Sequence, residues 1–181
     1  MNIETPLKKD DIEKLKAGDI VKISGIIYTA RDAAHKKMCE LLENNQELPF
    51  EPEGAVIYYV GPTPEKPGQI IGSAGPTTSG RMDAYTPLLL EKGLKGMIGK
   101  GERSDEVKSA IVKNKAVYFA AAGGAAALIS KAIISSRVIA WEELGTEAVR
   151  ELVVKDFPVI VINDIHGNDL YIEGQEKYRE E

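Results

Sequence analysis

The chain has 181 residues, a length that fits one domain and is enough to bury a hydrophobic core. It is 43% hydrophobic and 28% charged with a net charge of −5, ordinary for a soluble globular protein; the mixed charge argues against a nucleic-acid or membrane-surface partner while leaving room for a local basic pocket. The single Cys39 excludes an internal disulfide and cannot hold a metal cluster, and His35 and His166 lie far apart, so a metal site built by this chain alone is not expected.

Residues 1–9 show no apolar run before a cleavage site. Residues 10–15 read as a short helical segment. Residues 20–28 are rich in β-branched side chains and read as a strand, followed by a helix over 30–42 with Ala33, Ala34, Met38, Leu41 and Leu42 as its apolar face. A polar connection over 46–54 leads to a strong strand at 55–60. Residues 61–68 hold three prolines and two glycines and read as a loop. A short strand over 69–73, a Gly/Pro/Thr/Ser loop over 75–80 and a helix over 81–90 follow.

The second half alternates more regularly. Strands are expected at 94–98, 116–121, within 133–141 and at 158–162. Helices are expected at 104–112, with Ser104 as cap and acids in the first turn, at 124–131 and at 146–153. A last short strand is expected at 169–172, and the charged end, 173–181, reads as frayed. The uncharged stretch 116–130 is shorter than a bilayer requires and reads as a buried strand and a small-residue helix, not a membrane span. Short, adjacent strands mixed with helices favour a single α/β domain over residues 1–181 with a mixed sheet flanked by helices. A cytoplasmic location is expected.

Three stretches could carry chemistry. Gly75-Pro76-Thr77-Thr78-Ser79-Gly80-Arg81-Met82-Asp83 lies between a strand and a helix. Backbone N–H groups at a helix start attract anions, and a neighbouring arginine can grip a carboxylate or phosphate with two hydrogen bonds. The loop nearly matches a phosphate-binding pattern, but Arg81 replaces the lysine and Met82 the metal-binding hydroxyl, which excludes a nucleotide site and leaves an anion site. Read alone, the same residues are equally a turn with a surface arginine.

Arg31 sits at the expected start of a helix, where the dipole disfavours a cation, so an anion is one reason for its placement. His35 follows four residues later on the same face; a solvated arginine and a packed histidine are the plainer reading. Gly99-Lys100-Gly101 follows a strand and could present an ammonium beside an approachable backbone, or be an exposed turn. Gly123-Gly124 reads as close packing, Glu142-Glu143 as a solvated face, His166 as a turn residue and Cys39 as half-buried and inert. Two arginines, a lysine and a hydroxyl-rich loop at separate strand ends suit a small polycarboxylate.

Taken in order, SGxxYTARDAAHK from Ser24, GPTTSGRMD from Gly75, IGKG from Ile98, VYFAAAGGAAAL from Val117 and VINDIHGNDLY from Val161 resemble the β subunit, or C-terminal domain, of class I fumarases and related tartrate dehydratases. The resemblance spans about residues 7–172. It implies a swivelling β/β/α fold and a 4Fe-4S cluster held by a separate α subunit. It also implies reversible hydration of fumarate to (S)-malate, or dehydration of L(+)-tartrate to oxaloacetate, active only with that α subunit in a dimer of αβ pairs. It further implies that Arg31, Arg81 and Lys100 bind the substrate carboxylates. Thr77 would take the C3 proton of malate beside an aspartate of the other subunit, and Thr78, Ser79 and Gly80 would shape the loop. A dicarboxylate-binding or scaffold domain without catalysis is the alternative from another class.

Overall fold

The computed structural model describes residues 1–65, 67–121 and 126–177. The elements run β1 (Asn2–Glu4), α1 (Lys9–Ile12), β2 (Ile20–Thr29), α2 (Asp32–Glu43), β3 (Val56–Tyr58), α3 (Thr86–Glu91), β4 (Gly96–Gly99), α4 (Asp105–Asn114), β5 (Val117–Ala121), α5 (Ala126–Ala132), β6 (Ile133–Ala140), β7 (Val149–Asn163) and α6 (Leu170–Lys177), with 3-10 turns at Ser79–Met82 and Glu142–Glu147. This is a mixed sheet with flanking helices, as the resemblance implies.

The sheet order is β1-β2-β3-β4-β5-β7-β6, with β7 also paired to β2. Strands β1 to β5 are parallel, whereas β7 runs antiparallel to β2, β5 and β6. Ile160 faces Ile20 of β2 on one side and Ala120 of β5 on the other. The series β2-β3-β4-β5-β7 therefore returns to β2 and closes on itself.

Alternation along the strands divides the core. Val56, Tyr58, Ile98, Val117, Phe119, Phe157, Val159 and Val161 point to one cluster, together with Val21, Ile23 and Ile27. Ile57, Tyr59, Met97, Tyr118 and Ile162 point to the other, where Ala34, Met38, Leu89, Leu90, Val107 and Ile111 cover them. Strands β3 and β4 are buried on both faces, which is why they read as continuous apolar runs.

Several expectations are corrected. Residues 149–153 belong to β7, not to a helix. Their Val149, Leu152 and Val153 mimic helical spacing, but pairing with both β2 and β6 decides the conformation. Residues 169–172 enter α6, because the Asp169 carboxylate accepts from Tyr171 N at 3.0 Å and starts a helix. Residues 69–73 form bends tied back to Thr63, whose backbone N–H donates to the Ser73 carbonyl and whose hydroxyl accepts from Ser73 N. The helix expected over 81–90 splits into the 3-10 turn Ser79–Met82 and α3. Strand β1 has no signal in the sequence pattern, since Ile3 is its one buried residue. The buried face of α2 is Ala34, His35, Met38 and Cys39, rotated from the expected face to take in the His35 ring. Ser104 caps α4 as expected, its hydroxyl accepting from Val107 N. Gly123 and Gly124 lie outside the described residues.

Candidate functional site

The candidate residues cluster past the carboxyl ends of the parallel strands β2, β3 and β4. The loop before the 3-10 turn is fixed first. The Tyr58 hydroxyl donates to the Ala74 carbonyl. Thr77 N donates to the Tyr59 carbonyl at 2.8 Å, Lys100 N to the Thr77 carbonyl at 3.3 Å, and Ser79 N to the Lys100 carbonyl at 2.9 Å. Residues 77–79 thus run beside the end of β4 as a short parallel extension, with Thr78 facing Lys100. Two candidates distant in sequence, Thr77 and Lys100, are zipped together through their backbones. Thr77 is half-buried, Thr78, Gly80 and Lys100 are exposed, and among the described residues the Thr77 and Thr78 hydroxyls and the Lys100 ammonium have no side-chain partner.

Ser79 takes a different part. Its side chain is fully buried, and its Oγ lies 2.8 Å from the Tyr118 hydroxyl. That hydroxyl donates its one proton to the Gly101 carbonyl at 2.8 Å, so Ser79 is the donor in the pair. A Cβ at Gly99 would collide with the Ser79 hydroxyl and meet Tyr59 Cδ2 at 2.9 Å. Glycine at 99 is what lets the loop lie against β4.

Arg31 and Arg81 approach through a shared carboxylate. Arg31 precedes α2 in extended backbone, with Asp32 the first helical residue. Arg81 Nε donates to Asp32 Oδ1 at 2.9 Å, and Asp32 Oδ2 lies 3.9 Å from Arg31 Nη2. Glu147 stands on the far side of Arg31, its Oε1 3.8 Å from Arg31 Nε and 3.5 Å from the Ala33 N–H of the first turn. A Cβ at Gly61 would begin 2.8 Å from Arg31 Nη1, so that glycine makes room for the guanidinium. Arg31 and Arg81 thus share Asp32 and Glu147, while Lys100 stands unpaired at the end of β4, a local concentration of cations in a molecule of net charge −5. Anions are favoured here against the overall field.

Beneath the loop lies a buried polar cluster that sequence reading missed. Arg103 is 4% exposed. Its Nε donates to Asp83 Oδ1 at 2.7 Å, Nη2 to the Thr86 hydroxyl at 2.8 Å and Nη1 to the Tyr59 hydroxyl at 3.3 Å. The guanidinium also stacks over the Tyr59 and Tyr118 rings at 5.3 and 5.0 Å. Burial works against its charge, but Tyr59 and Asp83 more than offset this and raise its pKa. Asp83 Oδ2 accepts from Ser104 N at 2.7 Å, joining the 3-10 turn to the start of α4. No local pattern marks Arg103, because an arginine before a helix cap reads as solvated.

His35 is fully buried against Tyr59, with ring centroids 5.3 Å apart. Its Nδ1 lies 2.8 Å from the Arg31 carbonyl; a carbonyl only accepts, so Nδ1 carries the proton. Burial drives the imidazole pKa down to about 4, with the Arg103 charge adding to the effect. His35 is therefore a neutral strut beneath Arg31. Among the remaining candidates, Glu143 pairs with Lys37 at 2.8 Å on the surface, and His166 lies in the turn organised by Asp164. Cys39 is buried with its thiol toward the Tyr85 carbonyl, and burial raises its pKa, which keeps it protonated.

The model of the Fumarase C-terminus family matches residues 1–174. The chain belongs to that family. A Methanocaldococcus jannaschii protein that carries the provisional name L(+)-tartrate dehydratase subunit beta is 42% identical over 180 residues, covering 96% of this chain and 92% of the relative. Fumarate hydratase 2 of Leishmania major is 37% identical over 94% of this chain but only 31% of the relative, and the anaerobic class I fumarate hydratase of Escherichia coli K12 is 39% identical over 83% of this chain and 28% of the relative. Against these hydratases, the family domain corresponds to under a third of a longer protein. No helix among the described residues is long and apolar enough to cross a membrane.

Proposed function

We propose that this chain is the β-type part of a hydro-lyase acting on a four-carbon dicarboxylate, with reversible hydration of fumarate to (S)-malate as its reaction. One observation carries the reading. Arg31, Thr77, Arg81 and Lys100, spread over 70 positions of sequence, meet at one end of the sheet in a chain of the Fumarase C-terminus family. Arg31, Arg81 and Lys100 bind the two substrate carboxylates. Thr77 moves the C3 proton, which requires a neighbouring base to take its own hydroxyl proton, because an unassisted hydroxyl is far too weak. An aspartate of the partner subunit fills that role. Thr78 and Gly80 present the loop to the substrate, and Ser79 acts from below through Tyr118.

A 4Fe-4S cluster, when bound, supplies a Lewis-acidic iron to the substrate. The donor set of this chain does not fit it. Cys39 is alone and faces a carbonyl, and no group of three or more His, Cys, Asp or Glu among the described residues could hold a metal. We assign its ligands to a separate α subunit, with a dimer of αβ pairs as the assembly, this chain as one domain of it, and the cytoplasm as its location.

Tartrate dehydration to oxaloacetate is the second reading. The Methanocaldococcus jannaschii relative that carries the tartrate dehydratase name supports it, being matched over 92% of its own length at 42% identity. Reconstitution with a cluster-bearing α subunit and steady-state assays on fumarate, (S)-malate and L(+)-tartrate separate the two. A much higher kcat/KM for tartrate overturns the fumarase reading, and turnover of none of the three overturns both.

A further inference from the structure

We propose that Asp32 is a positioning residue: its carboxylate holds Arg81 by the Nε edge and aims the terminal nitrogens of that guanidinium at the substrate. The inference rests on the dicarboxylate reading above. Arg81 stands on a 3-10 turn, its side chain is 55% exposed, and its Asp32 contact is the ion pair that restrains it among the described residues. A guanidinium has two edges that can grip a carboxylate, Nε with one Nη, or the two Nη together. Asp32 Oδ1 at 2.9 Å from Nε takes up the first edge. The Nη–Nη edge is left to meet an incoming carboxylate end-on.

The second oxygen of Asp32 points the same way. Oδ2 is buried, has no hydrogen-bond partner, and lies 3.9 Å from Arg31 Nη2. Arg31 Nε is likewise buried without a hydrogen bond, 3.8 Å from Glu147. The two arginines are held at ion-pair distance around one carboxylate, not saturated by it. Donor capacity is therefore kept back on both. A first-turn acid on α2 also has a plain structural use in opposing the helix dipole. That use explains Asp32 at the helix start but not its hydrogen bond to an arginine 49 positions away.

The two roles separate experimentally. In the complex with the cluster-bearing subunit, Asp32→Asn should raise KM for the dicarboxylate at least tenfold while kcat changes less than threefold, and Asp32→Glu should recover part of the loss. The KM effect should disappear in an Arg81→Lys background, because lysine has no Nε–H edge to hold. Independently of turnover, the 15N-resolved Arg81 Nε–H signal of the full chain should exchange slowly in the wild type and fast in Asp32→Asn. An unchanged KM in Asp32→Asn, equal loss from Asn and Glu, or an equally fast Nε–H in wild type and variant overturns the proposal. If the wild-type complex turns over no dicarboxylate, the functional reading fails, while the exchange measurement still decides whether Asp32 holds Arg81.

Discussion

Arg103 Nε donates to Asp83 Oδ1 at 2.7 Å, joining the residue that ends the hydroxyl-rich loop to the one before the Ser104 cap of α4. A cation buried to 4% exposure is kept because every direction around it is occupied: a carboxylate, a threonine hydroxyl and two tyrosine rings. The pair forms the floor on which the loop bearing Thr77 and Arg81 rests.

Removing one member of that pair should be worse than removing both. Asp83→Ala leaves Arg103 buried and unpaired, at a cost of about 3–5 kcal/mol. Arg103→Met combined with Asp83→Leu should cost clearly less than Asp83→Ala alone. Urea denaturation of the two variants checks the order, and equal losses would mean that the charge is not what matters.

Gly99→Ala should destabilise by about 2 kcal/mol, since the new methyl meets the Ser79 hydroxyl and Tyr59 with no open space to move into. Gly99→Ala combined with Ser79→Ala should recover part of that loss. Thermal denaturation of the single and double variants reads it.

His35 gives a pH dependence whose sign follows from its burial. Its folded pKa is lowered to about 4 from an ordinary 6.5. Between those values the unfolded chain binds a proton that the folded chain does not. The folded state is therefore unpenalised above pH 6.5 and loses stability as pH falls toward 4. Between pH 7.5 and 5 the contribution is about 2 kcal/mol. In His35→Asn, whose amide can still donate to the Arg31 carbonyl, that slope should flatten. Denaturant titrations at the two pH values measure it, and an unchanged slope assigns the dependence to other groups.

Arg81→Ala should leave the fold almost untouched, because the side chain is mainly in solvent. In the reconstituted enzyme the same change should lower kcat/KM by roughly a hundredfold, the loss expected when a carboxylate is deprived of a charged partner. Near-normal kinetics would remove Arg81 from the site.

Much of this was legible in the sequence, and the exceptions have identifiable causes. Strands β2, β3, β4 and β5 announce themselves by β-branched and apolar runs, and α4 by its Ser104 cap. The segment 149–153 did not, because Val149, Leu152 and Val153 satisfy a helical period, and only the pairing with Thr29 to Ile26 and with β6 settles the matter. At the site, Arg31, Arg81 and Lys100 could be singled out because glycines and helix starts surround them. The partners that arrange them could not. Asp32 reads as an ordinary first-turn acid, Glu147 lies 116 positions from Arg31, and Arg103 looks like any charge ahead of a cap. Tertiary partners of a charge leave no local trace.

The double engagement of β7 bears on the order in which the chain can be assembled. During synthesis, residues 20–29 and 117–121 emerge from the ribosome well before residues 159–161, which must sit between them. Until then each has an unsatisfied edge open to any passing strand. The loop carrying Thr77 and Arg81 is likewise made early but stands on a sheet that is incomplete until β7 is made. A nascent chain stalled before residue 159 would hold every proposed substrate-binding residue at the ends of β2, β3 and β4 and still lack the strand that closes the sheet.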